Sequence, residues 1–288
     1  MNALKTTILL AALIGLFMLF GGLFGGKTGV VIAFVIGMLM NFVMYWFSDK
    51  IVLSMYGAKP VADGEERELV SMVKNLCSRM ELPMPKVYII NMETPNAFAT
   101  GRNPANAAVA VSPSIMKLLA KHELEAVLAH ELSHIKHRDT LIATLAAGIA
   151  SAISMLANLA YFAAIFGGGG RGDDEEGSNP LVLLVLAILT PIVAMFIQLA
   201  ISRAREYEAD SGAATVTNRP LSMISALEKI HGYAKEAPLS GGAPSTASLF
   251  IANPFKESFM VNLLSTHPTL SRRIKNIQKT AEKIGMPF

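Results

Sequence analysis

Long apolar blocks alternate along this chain with polar segments of much shorter periodicity. Residues 7–24 and 29–47 are almost unbroken apolar runs, joined only by Gly25, Gly26, Lys27 and Thr28. Each approaches the ~20 residues a helix needs to cross a bilayer, so the pair reads as a transmembrane hairpin. Residues 141–166 and 181–201 form a second such pair around the loop Gly167–Pro180, which carries a run of glycines and the acids Asp173 to Glu176. No small-residue cleavage site follows the first run, so it is expected to be a retained anchor rather than a signal peptide.

The polar segments pattern differently. Asp63 and Glu66 have capping-box spacing for a helix running to about Met80, where Pro83 and Pro85 stop it. Val87–Asn91 and Ala107–Val111 are short apolar runs of strand character, separated by the turn-rich Thr94–Asn106. Ser112, Pro113 and Ser114 open what reads as one long helix with Leu118, Leu119, Ala126, Leu128 and Leu132 on its buried face, continuing to about Ile135. Residues 202–234 read as helical with a break at Thr217-Asn218-Arg219-Pro220. A Gly-, Ser- and Pro-rich stretch, 235–266, reads as a surface loop or lid, and a helix over 269–284 ends the chain. The expected fold is a mainly α membrane protein with four transmembrane helices and an α+β unit carrying a small sheet. Its expected organisation is a hairpin (1–48), a polar segment (49–140), a second hairpin (141–201) and a second polar segment (202–288).

Composition supports the membrane reading. Apolar residues make up 52% of the 288 and charged residues 16%, against about a quarter charged in soluble chains. A net charge of +3 without basic clusters interleaved with aromatics gives nucleic-acid binding no support. Lys136 and Arg138 precede the second apolar pair, Arg203 and Arg205 follow it, and only Arg171 lies between. The positive-inside rule then puts both termini and both polar segments in the cytoplasm. The single cysteine, Cys77, permits no internal disulfide and reads as a buried, inert thiol.

The chemistry centres on His130-Glu131-Leu132-Ser133-His134, an H-E-x-x-H pattern inside a predicted helix. A spacing of four puts both imidazoles on one face, about 6 Å apart at Cβ, where they can share one metal ion. Glu131, one residue along, is placed to exchange a proton with water at that metal. A catalytic zinc needs a third protein ligand. The candidates are the acids of Arg203-Ala204-Arg205-Glu206-Tyr207-Glu208-Ala209-Asp210. Glu206 and Asp210 share a helical face, which would let one bind metal and the other orient a ligand histidine. Spacing alone equally allows them to pair with Arg203, Arg205 or Lys229. His137 reads as a helix-end group near Asp139, and His122 and His231 as solvated.

The run Glu125 to Thr140 resembles the HtpX family of bacterial membrane metalloproteases, related to the CAAX prenyl proteases. Similar blocks are Glu206 to Asp210, Pro95 to Gly101, and Ser265-Thr266-His267-Pro268 with Arg273-Ile274 after it. The resemblance implies a gluzincin-like site with one zinc held by His130, His134 and Glu206. It implies Glu131 as general base and Asp210 behind a ligand histidine. It further implies that Asn96, Ala97, Phe98 and Ala99 form an edge binding extended substrate by strand addition, and that His267 approaches the reacting oxyanion or the zinc. The expected location is the bacterial inner membrane, multi-pass, with membrane-protein substrates and the lipid bilayer as partners; oligomeric state is left open. The leading expected function is endoproteolysis of misfolded or unassembled membrane proteins from the cytoplasmic side. Processing of lipid-modified C-termini and a zinc-stabilised, non-catalytic scaffold are the alternatives.

Overall fold

The structure, a computed structural model, describes residues 2–62, 64–141, 203–237, 250, 251 and 268–286. Helix α1 (Asn2–Met55) is two arms folded at Gly26, whose φ of 55° and ψ of −141° are open to glycine and leave the helical region. The arms approach so closely that a Cβ on Gly21 would collide with the Gly29 carbonyl oxygen. The first pair of apolar runs is therefore a hairpin, as its sequence suggests. Within it, Gly25–Phe47 is long and apolar enough to cross a membrane, with a mean hydropathy of 2.2. The second pair, with its acidic loop, lies outside the described residues, as do most of the 235–266 stretch and His267.

The second arm of α1 runs on past the apolar stretch and docks on a sheet. Four strands follow, β1 (Lys59–Pro60), β2 (Lys86–Ile89), β3 (Ala97–Gly101) and β4 (Ala107–Val111), in the spatial order β1-β2-β4-β3. β2 and β4 are parallel, with Val87 opposite Val109. β3 and β4 are antiparallel, with Ala99 opposite Val109, which leaves β3 on the outer edge. Successive side chains of a strand point to opposite faces. On one face Phe98, Ala108 and Ala110 meet Val52 and Leu53 of α1. On the other, Ala97, Ala99, Val109 and Val111 join the helical core. Both faces are covered, which is why Ala107–Val111 is apolar throughout instead of alternating.

That second face carries α2 (Arg67–Met80), α3 (Pro113–Leu118), α4 (Lys121–Lys136), α5 (Arg203–Thr217), α6 (Pro220–Glu236) and α7 (Leu270–Lys283). Two sequence expectations are corrected here. The helix begins at Arg67 with Glu66 as its N-cap, in the left-handed region (φ 42°) and without a side-chain cap, so Glu66 is not at the third helical position that the capping-box spacing gave it. A turn through Gly64, also at positive φ, redirects the entry, and Arg67 donates to the Gly64 carbonyl (3.2 Å). Asp63 lies outside the described residues. The long helix after Ser112 is in fact two. Ser112 caps the first as expected, accepting from Ile115 N–H (3.2 Å). Leu119 and Ala120 are then extended, and the Glu123 carboxylate accepts the Ala120 N–H (2.7 Å), starting α4 in a new direction.

Candidate active site

Four elements, α4, α5, α7 and β3, converge at one point. Helix α4 supplies His130, Glu131 and His134, all on its buried side or half-buried. The His130 and His134 rings meet edge to face, with their Nε2 atoms 3.2 Å apart. Helix α5 brings Glu206, whose Oε2 is 3.7 Å from His130 Nε2 and whose Oε1 is 3.5 Å from His134 Nε2. Small residues let α5 come this close. Ala209, Ala213 and Ala214 are buried, and a Cβ on Gly212 would collide with Ser133 Oγ of α4.

Both histidines are held from behind. Asp210 Oδ1 lies 3.0 Å from His130 Nδ1, and Asp139 Oδ2 lies 3.4 Å from His134 Nδ1. Each imidazole thus turns Nε2 inward while a carboxylate holds its other nitrogen, an arrangement that fixes tautomer and ring orientation at metal sites. Glu206 and Asp210 do share a face, as their spacing requires, but they serve the histidines rather than a solvated surface. Arg205 pairs with Asp139 (3.3 Å) and is buried, so it belongs to this network as well as to the positive flank of the second apolar pair.

Sequence reasoning gave Arg273 no role of its own. Its side chain is fully buried, donating to Asp210 through Nε (2.9 Å) and Nη2 (2.6 Å) and to the Ile251 carbonyl through Nη1 (2.9 Å). Nη1 also lies 3.6 Å from Glu206 Oε2. A signal did exist: Arg273 shares the stripe of Ile277 and Ala281, both buried, so it is a lone cation on the apolar face of α7. Asp139 offered no such signal. It reaches His134 only because Arg138 adopts a left-handed turn (φ 58°) just past the end of α4.

The edge strand completes the site. Ala99 N–H donates to Glu131 Oε2 (2.9 Å), so the sheet's free edge faces the H-E-x-x-H helix. The Thr140 hydroxyl donates to the Gly101 carbonyl at the strand's end (2.8 Å). Asn96 is anchored at the other end, its N–H donating to Ser112 Oγ (2.9 Å) and its Oδ1 accepting from Ile251 N–H (3.4 Å). Phe98 points away, its ring 5.2 Å from that of Tyr56. What the edge presents to the site is backbone from Ala99, with the Phe98 side chain buried on the far face. His137 is exposed at the end of α4, and His122 is exposed. His231, expected to be solvated, is half-buried with Nδ1–H donating to the Leu227 carbonyl (2.9 Å).

The electrostatics suit a cation. Burial raises the pKa of Glu131, assisted by Glu206, against the opposing pull of the two histidines and Ala99 N–H; the net direction is up. Burial would neutralise His134, yet Asp139, Glu206 and Glu131 outweigh it and lift its pKa to about 9. Burial also opposes ionised Asp210, but Arg273 and His130 prevail and hold its pKa down. His130, His134 and Glu206 each offer one ligand atom, all within 4.8 Å of one another. Tetrahedral ligands at bonds of ~2.1 Å stand about 3.4 Å apart, close to the separations above. Two imidazoles and a carboxylate in this geometry fit a divalent metal.

Comparison with known proteins agrees. Residues 63–281 match the family described as Peptidase family M48. The chain belongs to that family. It is 48% identical over 278 residues to the "Protease HtpX homolog" of Methylibium petroleiphilum, covering 96% of both chains. It is 47% identical over 286 residues to that of Thermococcus sibiricus, covering 99% of this chain and 98% of the relative. Among solved structures it resembles S. mikatae Ste24p, with a TM-score of 0.54 at 18% identity, over 96% of this chain and 65% of that one. The chain is thus an HtpX-type M48 metallopeptidase, a hydrolase with a metal cofactor, and the resemblance read from the sequence holds. As an M48 peptidase it keeps Cys77 out of the chemistry: burial pushes that thiol up to about 11.

Proposed function

We propose that the chain is a zinc-dependent endopeptidase that cleaves misfolded or unassembled membrane proteins at the cytoplasmic face of the membrane it is anchored in. His130, His134 and Glu206 hold the metal and Glu131 is the general base. The observation that carries this reading is the meeting of those three donors beside Glu131 on a free strand edge. When bound, zinc would supply a Lewis acid for the scissile carbonyl and lower the pKa of water. Glu131, positioned by the Ala99 N–H, takes the proton of the attacking water and returns it to the leaving amine. Asp210 and Asp139 keep His130 and His134 aimed inward throughout. An extended substrate adds to the outer edge of β3 through main-chain hydrogen bonds, so unfolded segments are favoured.

Two features support the membrane part of the reading. The Gly25–Phe47 helix is long enough to span, and the same helix continues into the contact of Val52 and Leu53 with the sheet. The basic residues Lys136, Arg138 and Arg203 flanking the second apolar pair support the cytoplasmic side. The test is a map of cleavage products from a destabilised membrane reporter in vesicles, with E131Q as control. Internal cuts in exposed segments, absent with E131Q at unchanged metal content, are expected. Cleavage confined to a prenylated peptide would favour processing of lipid-modified C-termini, and intact cleavage by E131Q would refute the mechanism.

A further inference from the structure

The polar end of the Gly25–Phe47 helix carries a cluster that the protease chemistry does not use. Tyr45, Trp46 and Phe47 are consecutive there, with Phe42 one turn back. Trp46 is 44% exposed and Phe42 and Phe47 are more than 40% exposed. Two cations sit against these rings. Arg102, at the end of β3, places its guanidinium 4.6 Å from the centre of the Trp46 ring and donates from Nη1 to the Trp46 carbonyl (3.2 Å). Lys50 Nζ lies 5.3 Å from the centre of the Phe47 ring.

The two cations come from different elements and sit against the rings of adjacent helix residues, Arg102 on Trp46 and Lys50 on Phe47. Among the described residues neither forms an ion pair with a carboxylate. Asp49, the carboxylate on the same turn, is half-buried. Exposed aromatics over an apolar helix are the pattern of a headgroup-level belt, and cations laid on ring faces keep several N–H donors directed outward. Arg102 uses one donor on Trp46, and a planar guanidinium matches a phosphodiester with two others.

We propose that Trp46, Lys50 and Arg102 form a binding site for the phosphate of an anionic phospholipid, at the bilayer surface where α1 leaves it. The proposal rests on the membrane reading above. Its occupant follows from continuity with the spanning stretch and from charge: a phospholipid supplies both an acyl chain for Phe42 and Phe47 and an anion for the two cations. The site also touches the protease. Arg102 adjoins Gly101, whose carbonyl is held by Thr140, and two residues before it Ala99 N–H meets Glu131. Val52 follows Phe47 by about 8 Å of helix. A lipid bound here therefore holds the end of β3 at the membrane and keeps the substrate edge beside it.

Trp46 is the single tryptophan of the chain, so intrinsic fluorescence reports this site directly. The full-length protein would be placed in zwitterionic vesicles containing either a brominated anionic phospholipid or a brominated zwitterionic one at equal mole fraction. The anionic lipid should quench Trp46 at least about twofold more strongly, since each basic side chain near a surface enriches anionic lipid. The excess should fall in K50Q, which leaves Arg102 and its bond to the Trp46 carbonyl in place, and vanish in K50Q/R102Q. Quenching of every variant in fully brominated zwitterionic vesicles should stay equal, which reports intact insertion. Equal quenching by the two lipids, or an excess that survives in the double variant, would overturn the lipid site. Quenching by neither would overturn the membrane placement itself.

Discussion

Asp210 grips His130 Nδ1 at 3.0 Å with the same oxygen that accepts a 2.6 Å hydrogen bond from Arg273 Nη2. One carboxylate thus ties the H-E-x-x-H helix to both α5 and α7. D210N keeps the shape but removes the charge that orients His130. Metal affinity should fall about 10- to 100-fold, measured by competition with a chelator, and proteolysis should fall with it. An unchanged affinity would mean that Asp210 serves packing alone.

Arg273 is the other half of that tie. R273A would leave Asp210 buried without its guanidinium partner, only His130 still facing it, and should cost about 3–5 kcal/mol of stability, read from chemical or thermal unfolding. D210N/R273M removes both charges and should recover much of the loss. If the double variant were as unstable as the sum of the singles, the two side chains would not be coupled.

Gly212 sets the approach of α5 to α4. G212A should cost about 1–3 kcal/mol, because the added methyl meets Ser133 Oγ. S133A shortens the opposing side chain and should restore part of the stability in the double variant. Because Glu206 lies on α5 six residues earlier, G212A should also weaken metal binding, while a surface change such as E208Q should not.

How much of this could be read along the chain depends on distance in sequence. The pair His130 and His134 was legible because one turn of helix brings them together, and Ala107–Val111 because a buried strand must be apolar. The edge strand Ala97–Gly101 was legible only through the family resemblance: Asn, Pro, Thr and Gly around it signal turns, and it becomes a strand through pairing with β4. The break at Leu119–Ala120 carries neither glycine nor proline; it depends on Glu123, whose carboxylate is also held by Ser225 and Lys229 of α6. Asp139 and Arg273 are likewise partners that only the folded chain assembles.

Glu123 gives a pH prediction. Burial would raise its pKa, but Lys229, Ser225 and Ala120 N–H outweigh burial and lower it. A carboxylate with a depressed folded pKa stabilises the fold above its unfolded value, about 4.3, and that stability is lost as pH falls through the folded value. Unfolding free energy should therefore drop on acidification below about pH 4.3. E123Q should be less stable at neutral pH by roughly 1–3 kcal/mol and should show a shallower acid dependence. Parallel pH curves for the two proteins would count against this.

Metal removal tests whether the site is also a joint. His130 and His134 come from the segment before the second apolar pair, and Glu206 from the segment after it, so a metal held by all three cross-links α4 to α5. Ligand bound only by the folded state stabilises it by RT ln(1 + [L]/Kd), about 4 kcal/mol at a thousandfold excess over Kd. Chelation should lower the unfolding temperature of the wild type and expose α5 amides to hydrogen exchange before those of β4. E206Q should already sit near the chelated value and respond little to further chelation. E131Q, which leaves the three donors in place, should respond as fully as the wild type. That contrast separates a residue that holds the metal from one that uses it: a large chelation response lost in both variants would mean that Glu131, too, is a ligand, and that proton transfer must be assigned elsewhere.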